Sequence, residues 1–172
     1  MIDKVEGLRP FFKRIILAHK ILCTREFEPQ GISIFYYCGY RSSDDQDKLY
    51  AIGRGEKDTR KKVTWVTGGD SYHQYGWAVD FVPVLGGNLL WEDKAIYERC
   101  GIFAESLGLD WAGRWAIDKR ESPHIQLTGG LSCADMKKLN HADAVEGHIM
   151  SKYVASGMMT TLELVEKGVQ NV

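Results

Sequence analysis

The chain is poor in several features that would have fixed its class at once. Its four cysteines, Cys23, Cys38, Cys100 and Cys133, stand singly among 172 residues. None forms a Cys-x-x-Cys pair, which argues against a thiolate-based zinc site. A chain this long builds its own core without disulfides, so free and mostly buried thiols are expected. There is no charge excess. Lys and Arg number 22 against 23 Asp and Glu, a net charge of −1. No strong field draws such a chain to nucleic acid or anionic lipid, and neither is expected as a partner. No apolar run approaches the roughly 18 residues of a membrane-spanning helix. The opening Met1-Ile2-Asp3-Lys4 lacks the charged-then-apolar pattern of a secretory signal, so synthesis into the cytoplasm is the expectation. Internal repeats and low-complexity stretches are missing too.

What remains is an ordinary globular composition, 44% apolar and 26% charged, with length for one domain. The five tryptophans are many, and they read as core and cleft walls. Residues 8–26 repeat Leu8, Phe11, Phe12, Ile15, Ile16, Leu22 and Cys23 at helical spacing, with Pro10 in the first turn. Residues 32–38 form an Ile-, Phe- and Tyr-rich strand. Ser42 or Ser43 caps a helix over 44–52 that carries Gln46 and Tyr50 one turn apart. Residues 63–67 read as a short strand. Residues 91–107 read as an amphipathic helix burying Trp91, Ala95, Ile96, Ile102, Phe103 and Leu107. Two or three short helices are expected over 131–172. His19, His141 and His148 read as structural or exposed.

The densest chemistry lies in Gly68 to Pro83, Gly-Gly-Asp-Ser-Tyr-His-Gln-Tyr-Gly-Trp-Ala-Val-Asp-Phe-Val-Pro. His73 and Asp80 are seven residues apart. On one strand they would face opposite ways. On one helix they would stand about 10 Å apart, too far for bonds of about 2 Å to one ion. A bend is required between them, and Gly76 tolerates it. Ala78 to Val82 then forms a buried strand in which Asp80 needs a partner or a metal. Downstream, Pro123 biases Ser122 towards an extended shape, and His124-Ile125-Gln126-Leu127 alternates as a strand. Two histidines and a carboxylate with an open fourth position form the ligand set of a catalytic zinc. Glu121, free beside it, is the type of group that serves as general base. Ser71 has no His–Asp arrangement of its own to make it a nucleophile.

Ser71-x-His73-x-x-Gly76-x-Ala78-x-Asp80 followed by Glu121-x-x-His124 resembles the D-Ala-D-Ala carboxypeptidase/L-alanyl-D-glutamate endopeptidase family of zinc peptidases. The resemblance extends through Gly39-Tyr40-Arg41-Ser42, Gln46, Leu49-Tyr50, Val63-Thr64 and Gly108-Leu109-x-Trp111, and spans residues 8 to 128. Its architecture is similar to the phage endolysin branch, which usually cleaves the L-Ala-D-Glu bond of peptidoglycan stem peptides. The resemblance implies one Zn2+ on His73, Asp80 and His124, with Glu121 and Arg41 catalytic. A guanidinium is also a permanent planar donor for developing negative charge on chemical grounds alone. Ser71, Gln46 and Trp111 are assigned to substrate binding, with Gln46 bracing the site.

The fold expected is α+β. A small, mostly antiparallel sheet carries helices on one side and the zinc site on its open face. Residues 1–130 form the catalytic domain and 131–172 a helical extension packed on it. The function expected is a monomeric, antimicrobial phage endolysin, made in the host cytoplasm and acting on the cell wall after release, for host cytolysis. Two alternatives are a D-Ala-D-Ala carboxypeptidase or dipeptidase, and a non-catalytic zinc-stabilised binding domain like that of hedgehog proteins.

Overall fold

The computed structural model describes residues 1–139 and 141–169. Helix α1 (Pro10–Phe27) starts at the proline the sequence places in its first turn. It is followed by β1 (Ile32–Cys38), α2 (Ser43–Ala51), β2 (Ala78–Leu85), β3 (Asn88–Leu89) and α3 (Lys94–Ser106). Strands β4 (Asp110–Trp111) and β5 (His124–Gln126) come next, then α4 (Cys133–Leu139), α5 (Ala142–Ala155) and α6 (Met158–Glu166). The sheet runs β1-β2-β5-β4, every pair antiparallel, with β3 added to β2. Helices beside one small antiparallel sheet make this an α+β fold.

Alternation along the strands divides the sheet. Ile34, Tyr36, Val79, Phe81 and Ile125 enter the core with Phe12, Ile15, Ile16 and Leu22 of α1 and Phe103 and Ala104 of α3. His19 of α1 is fully buried there. Its Nδ1 lies 2.7 Å from the Tyr36 hydroxyl and its Nε2 2.9 Å from the Cys100 carbonyl. The opposite face carries Asp80, His124 and Gln126.

Helices α4 to α6 belong to the same core, which takes in Met136, Val145, Ile149, Tyr153, Leu162 and Val165. Tyr153 meets Phe11 edge-on at 5.2 Å and donates its hydroxyl to the Leu107 carbonyl at 2.9 Å. Arg14 grips Glu166 with two hydrogen bonds of 2.7 Å. Residue 140 and the last three residues of the extension expected over 131–172 lie outside the described ones. No helix among the described residues is long and apolar enough to cross a membrane.

Two local expectations need correction. Helix α3 begins at Lys94, not at residue 91, because Asp93 caps it by accepting from the Ile96 amide at 3.1 Å. Trp91 therefore stays outside the helix, exposed, with its ring edge against Tyr37 at 5.2 Å. Ala95 is exposed as well. Residues 63–67 form no strand. Two of their carbonyls go to side chains instead: the Gln46 amide donates to the Val66 oxygen at 2.8 Å and Arg54 to the Thr64 oxygen at 2.8 Å.

Candidate metal centre

Strand register builds the site. Cys38 on β1 pairs with Asp80 on β2, and Asp80 pairs with His124 on β5. Directly opposed residues of antiparallel strands share a face, so the three form one row across the sheet. An irregularity in β1 between Tyr36 and Cys38 makes this possible. Tyr36 pairs with Phe81 on the core side, and one extra residue is needed to bring Cys38 onto the other face opposite Asp80. His73 enters from the short 3-10 turn Tyr72–Tyr75 just before β2. Gly76 ends that turn at φ +74, the bend the seven-residue spacing requires. A Cβ there would also stand 2.7 Å from the Gly7 carbonyl oxygen.

The two histidines aim their unprotonated nitrogens at one carboxylate oxygen. His73 donates Nδ1–H to the Gly39 carbonyl at 2.7 Å, leaving Nε2 bare at 3.3 Å from Asp80 Oδ1. His124 Nε2 faces the Gln126 side-chain oxygen at 3.0 Å, and the Gln126 amide is itself engaged by Asp110. His124 Nδ1 is then bare, 3.0 Å from the same Asp80 oxygen. Two lone pairs and an anionic oxygen converge on one point, an arrangement only a proton or a cation makes favourable. Ligands each about 2.0–2.1 Å from a tetrahedral ion stand about 3.3 Å apart, close to both separations. The donor set and its spacing fit zinc. In the metal-free protein a proton takes the place. Burial works against charge on His73, but Asp80 outweighs it and holds the imidazole up at about 10. Burial likewise opposes ionisation of Asp80, yet His73 and His124 hold its carboxyl far below the usual range.

Cys38, His73 and Asp80 also offer ligand atoms that all lie within 4.8 Å of one another. A single thiol reaches the site through strand register, which sequence spacing does not show. Arg41 Nη2 donates to Cys38 Sγ at 2.9 Å and lies 3.5 Å from Asp80 Oδ2. Its Nη1 donates to Gln46 Oε1 at 2.8 Å. Burial pushes the Cys38 thiol up, but His73 reverses this and leaves it below its ordinary value.

Gln46 is fully buried, and its amide nitrogen donates to Thr64 Oγ1 and the Val66 carbonyl. It therefore braces Arg41 and the 64–66 loop; the expectation that it also touches substrate is corrected by its burial. Trp111 is corrected likewise. It is 4% exposed, donates its indole N–H to the Ser122 carbonyl at 2.8 Å, and is flanked by Gly101 and Gly113. A Cβ on either glycine would overlap its ring at 2.2 and 2.1 Å. Trp65 and Trp115, by contrast, line open space. They border a cleft of about 400 Å3 with Thr64, Ser71, Tyr72 and Glu121. Ser71 lines it while its hydroxyl also accepts from the Gln74 amide. A second cavity of about 460 Å3, bordered by Tyr37, Lys62, Trp91 and Arg120, meets the first at Trp65, Glu121 and His124. Glu121 is half-buried at that junction. Burial raises its carboxyl above the usual value, with His124 opposing. Asp118 is exposed on the rim of the second cavity. The aromatic walls carried a weak signal in the sequence, since nothing in the spacing of five tryptophans separates core from cleft.

The chain is 34% identical over 107 residues to the peptidoglycan L-alanyl-D-glutamate endopeptidase CwlK of Bacillus subtilis (strain 168), covering 57% of this chain and 62% of that protein. It thus spans about three fifths of the relative's length. The crystal structure of Serratia marcescens L-Ala D-Glu endopeptidase ChiX superimposes with a TM-score of 0.49 at 26% identity, over 72% of this chain and 83% of that one. Residues 15–108, which carry Arg41, His73 and Asp80, match the family model described as VanY, D-alanyl-D-alanine carboxypeptidase. The chain belongs to the VanY D-alanyl-D-alanine carboxypeptidase family.

Proposed function

We propose that the chain is a zinc-dependent peptidase that hydrolyses the L-Ala-D-Glu bond of peptidoglycan stem peptides. The observation that carries the reading is the convergence of His73, His124 and Asp80 on one point beside the half-buried Glu121, at the junction of two cavities. Zinc bound there supplies Lewis acidity towards the scissile carbonyl and its attacking water. Glu121 takes the proton of that water and returns it to the leaving amine; burial has already raised its affinity for a proton. Arg41, held by Gln46, donates to the carbonyl oxygen as charge develops on it. The cavity with Lys62 and Arg120 suits the acidic D-Glu side of the bond, and the Trp65–Trp115 cleft the alanine side. Identity to CwlK supports this choice of bond. Helices α4 to α6 act as a brace on α1 and α3 rather than as a separate binding module.

Mass spectrometry of purified peptidoglycan, digested with and without chelator, tests the reading. A new N-terminal D-glutamate, with muramyl-L-alanine left on the glycan and lost under chelation, is the expected result. Released D-alanine would instead support the carboxypeptidase activity in the description of the matching family. Metal binding with no cleavage would favour a binding domain. For the biological setting we propose a phage endolysin, on the resemblance of architecture. Expression in a bacterial host with a membrane pore former should then lyse the cells, and expression alone should not.

A further inference from the structure

The two metal-facing histidines are held from outside by different kinds of acceptor. His73 gives its Nδ1–H to the Gly39 carbonyl, a backbone group that can only accept. His124 faces the side-chain amide of Gln126 at 3.0 Å. An amide carries an acceptor oxygen on one side and a donor nitrogen on the other, so it can present either. With the oxygen towards Nε2, that nitrogen of His124 holds the proton and Nδ1 is bare for a cation. With the amide nitrogen there instead, Nε2 is bare and the proton sits on Nδ1, 3.0 Å from Asp80 Oδ1. That second state is a satisfied hydrogen bond and leaves His124 no lone pair for a metal.

The group that chooses between them lies on the next strand. Asp110 on β4 pairs with Gln126 on β5, and its neighbour Trp111 turns into the core. Asp110 therefore shares the open face with Gln126 and His124. An ionised carboxylate only accepts. Asp110 engages the Gln126 amide nitrogen, which leaves the Gln126 oxygen to His124.

We propose that Asp110 is a positioning residue for the metal centre: through Gln126 it selects the His124 tautomer that binds metal. The proposal rests on the zinc reading above and deepens it. Asp110 is itself no ligand. Its effect passes through one amide and one imidazole, as outer partners of metal-bound histidines do.

Zinc affinity, measured by competition with a chromophoric chelator, reads this without turnover. Asp110→Asn keeps the shape but can offer Gln126 either an oxygen or a nitrogen. Zinc should bind it about 10- to 100-fold more weakly. Exchanging the partners, Asp110→Asn together with Gln126→Glu, puts an acceptor-only group beside His124 and a donor behind it. That exchange should restore affinity to within about threefold of native, a reversal that a role in stability alone would not give. Native affinity in Asp110→Asn, or no recovery in the exchange, would overturn the proposal. Should the variants fail to fold, the native chain still decides. Long-range proton–nitrogen NMR of the chelated protein should find the His124 proton on Nε2, and a proton on Nδ1 would overturn the assignment. A native chain that binds no zinc would bring down the zinc reading and this proposal with it, whereas weakening confined to the variant leaves that reading intact.

Discussion

His19 and the His73–His124 pair are all buried histidines, and they teach opposite lessons. At His19 donors and acceptors match. The Cys100 carbonyl only accepts, so Nε2 carries the proton, and Nδ1 accepts from the Tyr36 hydroxyl. The ring is complete as a neutral group, and burial drives its pKa down to about 4. At the metal row each histidine has its N–H taken by an outer partner, Gly39 or Gln126, and turns a lone pair towards Asp80. Neutral rings there repel the carboxylate, and the site is complete only with a cation. Burial alone does not distinguish a structural from a functional histidine; the direction of its lone pairs does.

The sharpest break of that contrast is chemical. Asp80→Ala should abolish metal retention and activity together, measured as metal per chain and as peptidoglycan cleavage. Glu121→Gln should keep the metal and lose about 10²–10⁴ in turnover, since it removes proton transfer and not a ligand. A Glu121→Gln enzyme near native rate would remove that residue from its role.

The two kinds of histidine also give opposite pH limbs of stability. The folded pKa of His19 is depressed, so the unfolded chain binds a proton that the folded chain refuses. Stability is full above about 6.5 and falls as pH drops towards about 4, by about 3 kcal/mol. In metal-free protein the folded pKa of His73 is raised by Asp80. That contribution is full below about 6.5 and is lost as pH rises through about 10. Bound metal replaces the proton and should erase the alkaline limb alone. Thermal melts at about pH 5, 7 and 9, with and without chelator, read both limbs. An alkaline limb that survives metal loading would sink the idea that one point takes proton or cation.

Gln46→Ala leaves Arg41, Thr64 and Val66 without their shared partner. An activity loss of about 10- to 100-fold is expected, typical of outer groups that orient a metal site, with the metal retained. The smallest effect should come from the far side of the molecule. Arg14→Ala removes the partly exposed pair with Glu166 and should cost no more than about 1 kcal/mol in denaturant melts, with cleavage unchanged.

Much of the site was legible because its motif is local. His73, Gly76 and Asp80 lie within eight residues, and a helix, a strand and steric limits on glycine are enough to show that the chain must bend between them. His124 was legible through Pro123 and two-residue alternation. Gln46 was visible as a helix residue, but its full burial was not. Whether a polar side chain faces solvent or a loop depends on the 64–66 segment folding over it. Trp111 and Trp115 look alike in sequence. Two glycines, twelve residues apart, make the first a core residue, while the second is left at the cleft.

The sequence by itself determined the α+β class, a helix read over residues 8–26, strands read over residues 32–38 and 78–82, and the bend that separates His73 from Asp80. These follow from periodicity, capping and steric rules that act over a few residues. Only the tertiary structure decided that Cys38 joins the row. Its place depends on an extra residue in β1 and on register with a strand some forty residues away, and a slip of one residue would have turned the thiol into the core. Local rules carry side chains to the right element; pairing between distant strands decides which of them meet.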